Sequence, residues 1–281
     1  MIDAVADTSA SPKHAFRLRH QLRTLQVLAA ADFKLKYTGS ALGYVWSVVK
    51  PLALFTMLYL VFGRLFHLNA ISPYYPLALL IGIVLFYFFA DGTTLGMISI
   101  VARGDLIRKL AFPRMIVTVS ATLTAALTLA VNMTVIGGFI AWRDIVPRPN
   151  WILVLPLLLE LYVFTLGVAL ILATLFVRLR DVGQVWELAL QLFFYATPIV
   201  YPVGYLPPWA RNIALLNPFA QVLQDIRSII LYDDVPQNRI TAGDAFGSSF
   251  GSLIPVAIAI AIFIVGYYLM RREEPWFAER L

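Results

Sequence analysis

Six apolar runs of membrane length punctuate the chain, at residues 46–66, 75–96, 115–141, 151–177, 182–201 and 253–270. A hydrocarbon core of about 30 Å is crossed by about 20 apolar residues in a helix. Each run therefore predicts a crossing helix, and together they predict an all-α polytopic membrane protein. Ahead of the first run, Leu18, Leu22, Leu25, Ala29 and Phe33 recur at intervals of three or four, while Arg17, Arg19, Arg23 and Lys34 mostly face elsewhere. That pattern predicts an amphipathic helix over residues 14–36, lying in the headgroup plane. Between the fifth and sixth runs, Trp209–Leu216 and Phe219–Leu231 are apolar but too short to cross. Pro207-Pro208, Asn217-Pro218 and Asp233-Asp234 bracket them, which predicts two short re-entrant or interfacial helices within residues 204–232. The expected organisation is an N-terminal segment over 1–45, a membrane domain over 46–270 and a tail over 271–281.

Composition agrees. The chain of 281 residues is 60% hydrophobic and 14% charged, with a mean hydropathy of +0.79. A soluble domain is about 45–50% apolar and about 25% charged. No cysteine is present, which excludes disulfides, thiolate metal sites and cysteine nucleophiles. Residues 1–16 open with acids and contain no apolar core, so a secretory leader is not expected.

Charge placement then orients the chain. Six Lys or Arg fall in residues 13–36, four in 103–114, two in 178–180 and three in 271–280, giving 15 on one side. The other side holds Arg64, Arg143, Arg148, Arg211, Arg227 and Arg239, giving 6, and Lys50 lies inside a run. Basic residues concentrate on the cytoplasmic side of membrane proteins, so both termini are expected inside.

Catalytic chemistry is not expected. The three histidines, His14, His20 and His67, all fall outside the apolar runs, and no Gly-Lys-Ser or Gly-Lys-Thr of a phosphate-binding loop occurs. Asn132-Met133-Thr134 spells a glycosylation acceptor but lies within a run. Lys50, Asp91, Glu160 and Glu187 are ionisable groups in or near runs, where charge is expensive; structural pairing with unidentified partners is the expectation. Aromatics are 14% of the chain. Trp46, Trp142 and Trp151 sit at run ends, as interfacial belts require. Phe86 to Phe89, Phe193 to Tyr195, Tyr201 and Tyr205 form blocks that offer either core packing or a sliding surface for sugar rings.

One polar stretch interrupts the apolar pattern. ARGDLIRKLAFPRM, residues 102–115, carries four basic side chains between the second and third runs, and the charge count places it in the cytoplasm. Its Arg103-Gly104-Asp105 spells an adhesion tripeptide, but three-residue strings recur by chance.

The ordered motifs resemble the membrane subunits of polysaccharide-exporting ABC transporters, the type 2 exporters that include O-antigen, capsule and teichoic-acid permeases. Asp32-Phe33-Lys34-Leu35-Lys36-Tyr37 is followed by Gly39-Ser40-Ala41-Leu42-Gly43-Tyr44-Val45-Trp46 and by Pro51-Leu52. Then come LIRKLAFPR, Arg180-Asp181-Val182, Pro198-Ile199, Tyr201, Leu206-Pro207 and Leu216-Asn217-Pro218, so the resemblance runs from about residue 30 to 270. It implies a homodimer with two copies of a separate ATP-binding subunit that holds ATP and Mg2+, with no cofactor or metal on this chain and no nucleic-acid partner. It implies a coupling helix over about 102–112, using Gly104, Asp105, Leu106, Ile107, Arg108, Lys109, Leu110 and Phe112. It also implies a gate helix that includes Arg19, Arg23, Leu25 and Phe33. Candidate channel-lining residues are Tyr44, Phe86, Phe89, Phe193, Tyr195 and Tyr201. The location implied is a bacterial cytoplasmic (inner) membrane. The implied cargo is a lipid-linked glycan such as the O-antigen of lipopolysaccharide, a capsule, a galactan or a teichoic acid. A long glycan cannot be enclosed and released, so a continuous channel is expected. A permease for a drug or small lipid is the alternative within the family. A membrane-embedded glycosyl or acyl transferase is the alternative outside it.

Overall fold

The computed structural model describes residues 45–68, 73–104, 113–232, 240–247 and 249–277, with Ala29, Lys34 and Gly43 as single residues. Arg19, Arg23, Leu25, Phe33, Tyr44 and the stretch 105–112 lie outside the described residues. Every element described is helical. In chain order they are α1 (Val45–Leu58, continuing through a π-helical turn Tyr59–Leu65), α2 (Tyr75–Ala102), α3 (Met115–Trp142) and α4 (Val154–Arg178). Then follow α5 (Val182–Ala196), α6 (Pro208–Leu216), α7 (Pro218–Ile230), the single turn α8 (Ala242–Ala245) and α9 (Leu253–Glu273). Short 3-10 segments precede α4 and flank α9.

Five helical segments are long and apolar enough to cross a membrane: Val45–Leu65, Tyr75–Ala102, Met115–Trp142, Pro149–Arg178 and Leu253–Trp276. They coincide with five of the six runs expected from sequence. At the remaining run the helix is shorter than expected. The run at 182–201 is helical only to Ala196. Fifteen residues at 1.5 Å each reach about 22 Å, short of a hydrocarbon core. The cause is local: Pro198 disfavours helical backbone at the residue before it, and Thr197 is extended, with φ −89° and ψ 142°.

The bundle is built around α2, 72% of whose apolar window is buried, against 11% for α1. Lipid supplies no hydrophobic drive between helices, so close backbone approach at small residues has to hold them. A Cβ on Gly92 would lie 2.7 Å from Thr165, and one on Gly96 would lie 2.7 Å from Ala169, so α2 and α4 meet along a seam of small residues. A Cβ on Gly167 would lie 2.7 Å from the backbone of Phe263, and this seam carries α9. Threonines along α3 return their hydroxyls to the helix: Thr122 to Val119 O, Thr124 to Ser120 O and Thr128 to Thr124 O. Polar side chains are thereby tolerated in an apolar bundle. At the end of the bundle marked by Arg178, that side chain pairs with Glu273, and the Arg114 amide donates to Glu274 Oε1 at 2.8 Å.

The seam between α4 and α9 yields a test. Gly167→Ala is expected to lower the thermal unfolding midpoint of the protein in nanodiscs, at a cost of about 1–3 kcal/mol from overpacking. Gly137→Ala, where an added Cβ meets nothing within 4 Å, is expected to leave the midpoint unchanged or slightly raised.

Candidate functional site

The segment after Arg180 runs antiparallel to α2 along its whole length. Trp186 Nε1 donates to Thr93 Oγ1 at 3.1 Å. Phe193 stacks on Phe89 at 5.1 Å, Phe194 meets Phe86 edge-on at 4.8 Å, and Tyr75 OH donates to Val200 O at 2.9 Å. The helical part ends at Ala196, and Thr197 to Val200 continue as irregular backbone beside the first turns of α2. Their carbonyls lack the i+4 amides that a continuing helix would provide.

Arg227 of α7 supplies the missing donors. The residue is 3% exposed. It donates to Pro198 O at 2.7 Å, to Ile199 O at 2.8 Å, and twice to Ala78 O, at 3.0 and 2.8 Å. Gly82 leaves the room: a Cβ there would lie 2.7 Å from Arg227 Nη2. Burial pulls the guanidinium's pKa down while Tyr232 and Tyr75 oppose the shift. Arginine stays charged under such a load because its ordinary pKa is so high. In sequence Arg227 counts among loop charges; the structure makes it the most buried cation among the described residues. The short helix that carries it starts at Asn217, whose side chain accepts from the Phe219 amide at 3.0 Å, with Pro218 at its first position. From there α7 climbs from Phe219, packed on Phe89 at 5.7 Å, to Leu231, which lines a cavity with Tyr74 and Trp151. The short helices expected at Trp209–Leu216 and Phe219–Leu231 are thus present to within a residue.

With its inner side committed to α2, α5 presents the opposite side to the surroundings. Gln184, Glu187, Gln191 and Tyr195 follow one another at three or four residues and are all exposed. Val185, Leu188 and Leu192 form an exposed apolar stripe beside them. A line of amide, carboxylate and phenol groups facing hydrocarbon would be costly. This face suits a wet passage or a partner subunit.

The aromatic residues expected to line a channel divide. Phe89 is 1% exposed and stacks on Phe164 at 5.3 Å. Phe86 and Phe193 join the same cluster through Phe219. These three rings cement α2, α4, α5 and α7 within the chain. Tyr195, by contrast, is 67% exposed. Tyr201 is partly exposed, and its hydroxyl donates to Tyr195 O and Ala196 O. Both tyrosines stand at the end of the α5 stripe. Of the expected coupling residues, Gly104 is described, two residues beyond the end of α2.

The ionisable residues in the apolar runs also sort themselves. Lys50 and Asp91 line one cavity of about 500 Å³ between α1, α2 and α3, with Trp46, Tyr87 and Asn132. Asn132 is buried and donates to Ser47 O and Thr128 O, so it cannot serve as a glycosylation acceptor. Glu187 belongs to the exposed stripe, and Glu160 faces α7. One enzyme-like spelling occurs, Gly247-Ser248-Ser249-Phe250-Gly251. A nucleophile elbow needs a strand before the serine, whereas Ala242–Ala245 before this one is a helical turn and Ser249 lies in a 3-10 segment.

Arg227→Met is expected to cost about 3 kcal/mol or more, because a charged donor group leaves buried carbonyls unsatisfied. Arg227→Lys is expected to recover only part of that, since one ammonium cannot match a planar fork of donors. Thermal unfolding and the yield of monodisperse protein check both.

Comparison with known proteins places this geometry. A family model described as ABC-2 type transporter matches residues 23–231. The chain is 31% identical over 222 residues to an O-antigen export system permease protein RfbA of Klebsiella pneumoniae, covering 79% of this chain and 85% of that protein. It is 27% identical over 271 residues to the protein of the same name in Myxococcus xanthus, covering 93% and 97%. To the polysialic acid transport protein KpsM of Escherichia coli it is 20% identical over 210 residues, covering 74% and 81%. A match across most of its length, including α5, its break and α7, makes this chain a member of the ABC-2 type transporter family.

Proposed function

We propose that this chain is the membrane subunit of an ATP-driven exporter of a lipid-linked polysaccharide, and that the uncovered face of α5 forms part of the channel wall. The observation that carries this reading is the polar stripe Gln184, Glu187, Gln191 and Tyr195. A protomer alone leaves it uncovered, and a second copy of the chain facing it would enclose a wet path lined by hydrogen-bonding groups. Such groups exchange hydrogen bonds with a hydroxyl-rich cargo as readily as with water. Similarity to proteins named for O-antigen export and polysialic acid transport supports a glycan as that cargo.

In this reading the segment 182–200 is a sixth crossing, part helix and part extended chain. Both termini are cytoplasmic, in keeping with the bias of basic residues, and the membrane is the bacterial cytoplasmic membrane. α6 and α7 dip into the bilayer from the outer face and return. Two protomers pair with two ATP-binding subunits, which carry ATP and Mg2+. The stretch Gly104 to Phe112 passes their motion to the channel, with Asp105, Arg108 and Lys109 as polar contacts and Leu106, Ile107 and Leu110 filling a groove. The helix with Arg19, Arg23, Leu25 and Phe33 borders the cytoplasmic entrance.

Two experiments test it. In this cysteine-free chain, Gln191→Cys is expected to react with a water-soluble maleimide in membranes, while Leu159→Cys, on an exposed apolar face of α4, does not. Equal protection of both sinks the channel-wall assignment. Asp105→Ala with Arg108→Ala is expected to uncouple ATP hydrolysis from glycan export without reducing membrane insertion, and unchanged export overturns the coupling role.

A further inference from the structure

Three acceptor atoms between α4 and α7 are shut off from solvent and have no donor: Glu160 Oε1, Gln221 Oε1 and Asp225 Oδ1. They form one cluster. The Gln221 amide donates to Asp225 Oδ2 at 2.6 Å, and Glu160 on the facing helix lies within electrostatic reach of both Gln221 and Asp225. Gln221 is 2% exposed. A buried acceptor without a donor is strongly disfavoured, and two carboxylates sharing one site resist ionising together.

Among the described residues, the neighbouring elements supply no counter-charge. Arg227 lies two residues along α7 but gives its donors to Ala78, Pro198 and Ile199. From the α8 turn comes Asp244, another negative charge. Arg211 of α6 donates through Nη2 to Leu206 O, and its Nε is buried without a partner, but it is not among the charges that act on either carboxyl. From α2, Tyr75 faces Val200; on α4, Tyr162 pairs with Thr122 of α3. Residues 149–153 and the first half of α9, Leu253–Gly266, contain no titratable side chain. What the cluster lacks is hydrogen.

We infer that Glu160, Gln221 and Asp225 form a proton-binding site that joins α4 to α7, with a proton held between the two carboxyl groups. A carboxyl O–H donates to the idle Gln221 carbonyl or to the facing carboxylate, and the orphaned acceptors become links in one chain. Protons have a route in: Asp225 lines an open cavity of about 880 Å³ with Leu153, Ser228, Thr241, Asp244 and Ser252. Burial lifts the Asp225 carboxyl to about 6, above its ordinary value near 3.9. For a folded-state pKa raised in this way, full stability holds below the unfolded value and is lost as pH rises through about 6. Deprotonation then places like charges on facing helices, one of which carries the Arg227 clamp. The inference concerns this chain alone and stands whether or not the cargo is a glycan.

The full chain in nanodiscs tests it by infrared difference spectroscopy and thermal unfolding between about pH 5 and about pH 8, spanning the raised pKa. Expected is a protonated-carboxyl band that titrates away across that range in the wild type and is missing from Glu160→Gln/Asp225→Asn. The wild-type unfolding midpoint is expected to fall as pH rises, with the double variant flat. The absence of such a band in the wild type overturns the inference, even where the double variant fails to fold. So does an unfolding profile that follows Na+ or Mg2+ concentration at fixed pH, which would make this a metal-cation site. Identical pH profiles for wild type and double variant also overturn it.

Discussion

A helix that stops inside a membrane domain exposes carbonyl groups that hydrocarbon cannot satisfy, and the remainder of this structure is arranged around one such stop. Thr197-Pro198 ends α5. Arg227 and Tyr75 then cap Pro198, Ile199 and Val200 from two other elements. To bring a guanidinium there, α7 must enter the bundle, be buried along most of its length, and begin deep enough for Phe219 to meet Phe89. Gly82 must lack a side chain for the guanidinium to reach Ala78. The short helices of residues 208–230 are therefore more than loop furniture. They are the far half of a hydrogen-bonded joint.

That joint explains why one face of α5 is left free. Phe89, Phe164, Phe193 and Phe219 stack into a cluster that fixes the inner side of α5. Glycine seams hold α2, α4 and α9 close enough for this to happen. Rigid attachment on one side and a polar stripe open on the other are what the proposed channel wall would need. The face is positioned by packing on the opposite side of α5, and Tyr195 and Tyr201 stand where the stripe meets the break.

How much of this was legible in the sequence depends on whether the signal was local. Apolar length is local, so five crossing helices were found near their observed ends. Turn chemistry is local too, and Pro207-Pro208 and Asn217-Pro218 marked α6 and α7 to within a residue. Pro198 was equally visible, but the apolar run passed straight through it, and length alone does not distinguish a helix from a helix followed by extended chain. Aromatic blocks were legible as blocks. Which ring faced inward was not, because adjacent residues on a helix point about 100° apart and the answer depends on what lies opposite.

Arg227 shows the limit most clearly. By sequence it is one basic residue in a short amphipathic segment, indistinguishable from Arg211. Its role exists only because Ala78, 149 residues away, and Pro198, 29 residues away, are brought to the same point. The same holds for Glu160, whose partners Gln221 and Asp225 belong to another helix. Composition and run length by themselves determined that this is a helical protein with membrane-length apolar helices and where those helices begin, because transfer to lipid is paid residue by residue. Which charges are buried, which carbonyls they cap and which helix face stays open were decided only in the tertiary structure. Satisfying a polar group in an apolar medium takes a partner from a distant part of the chain.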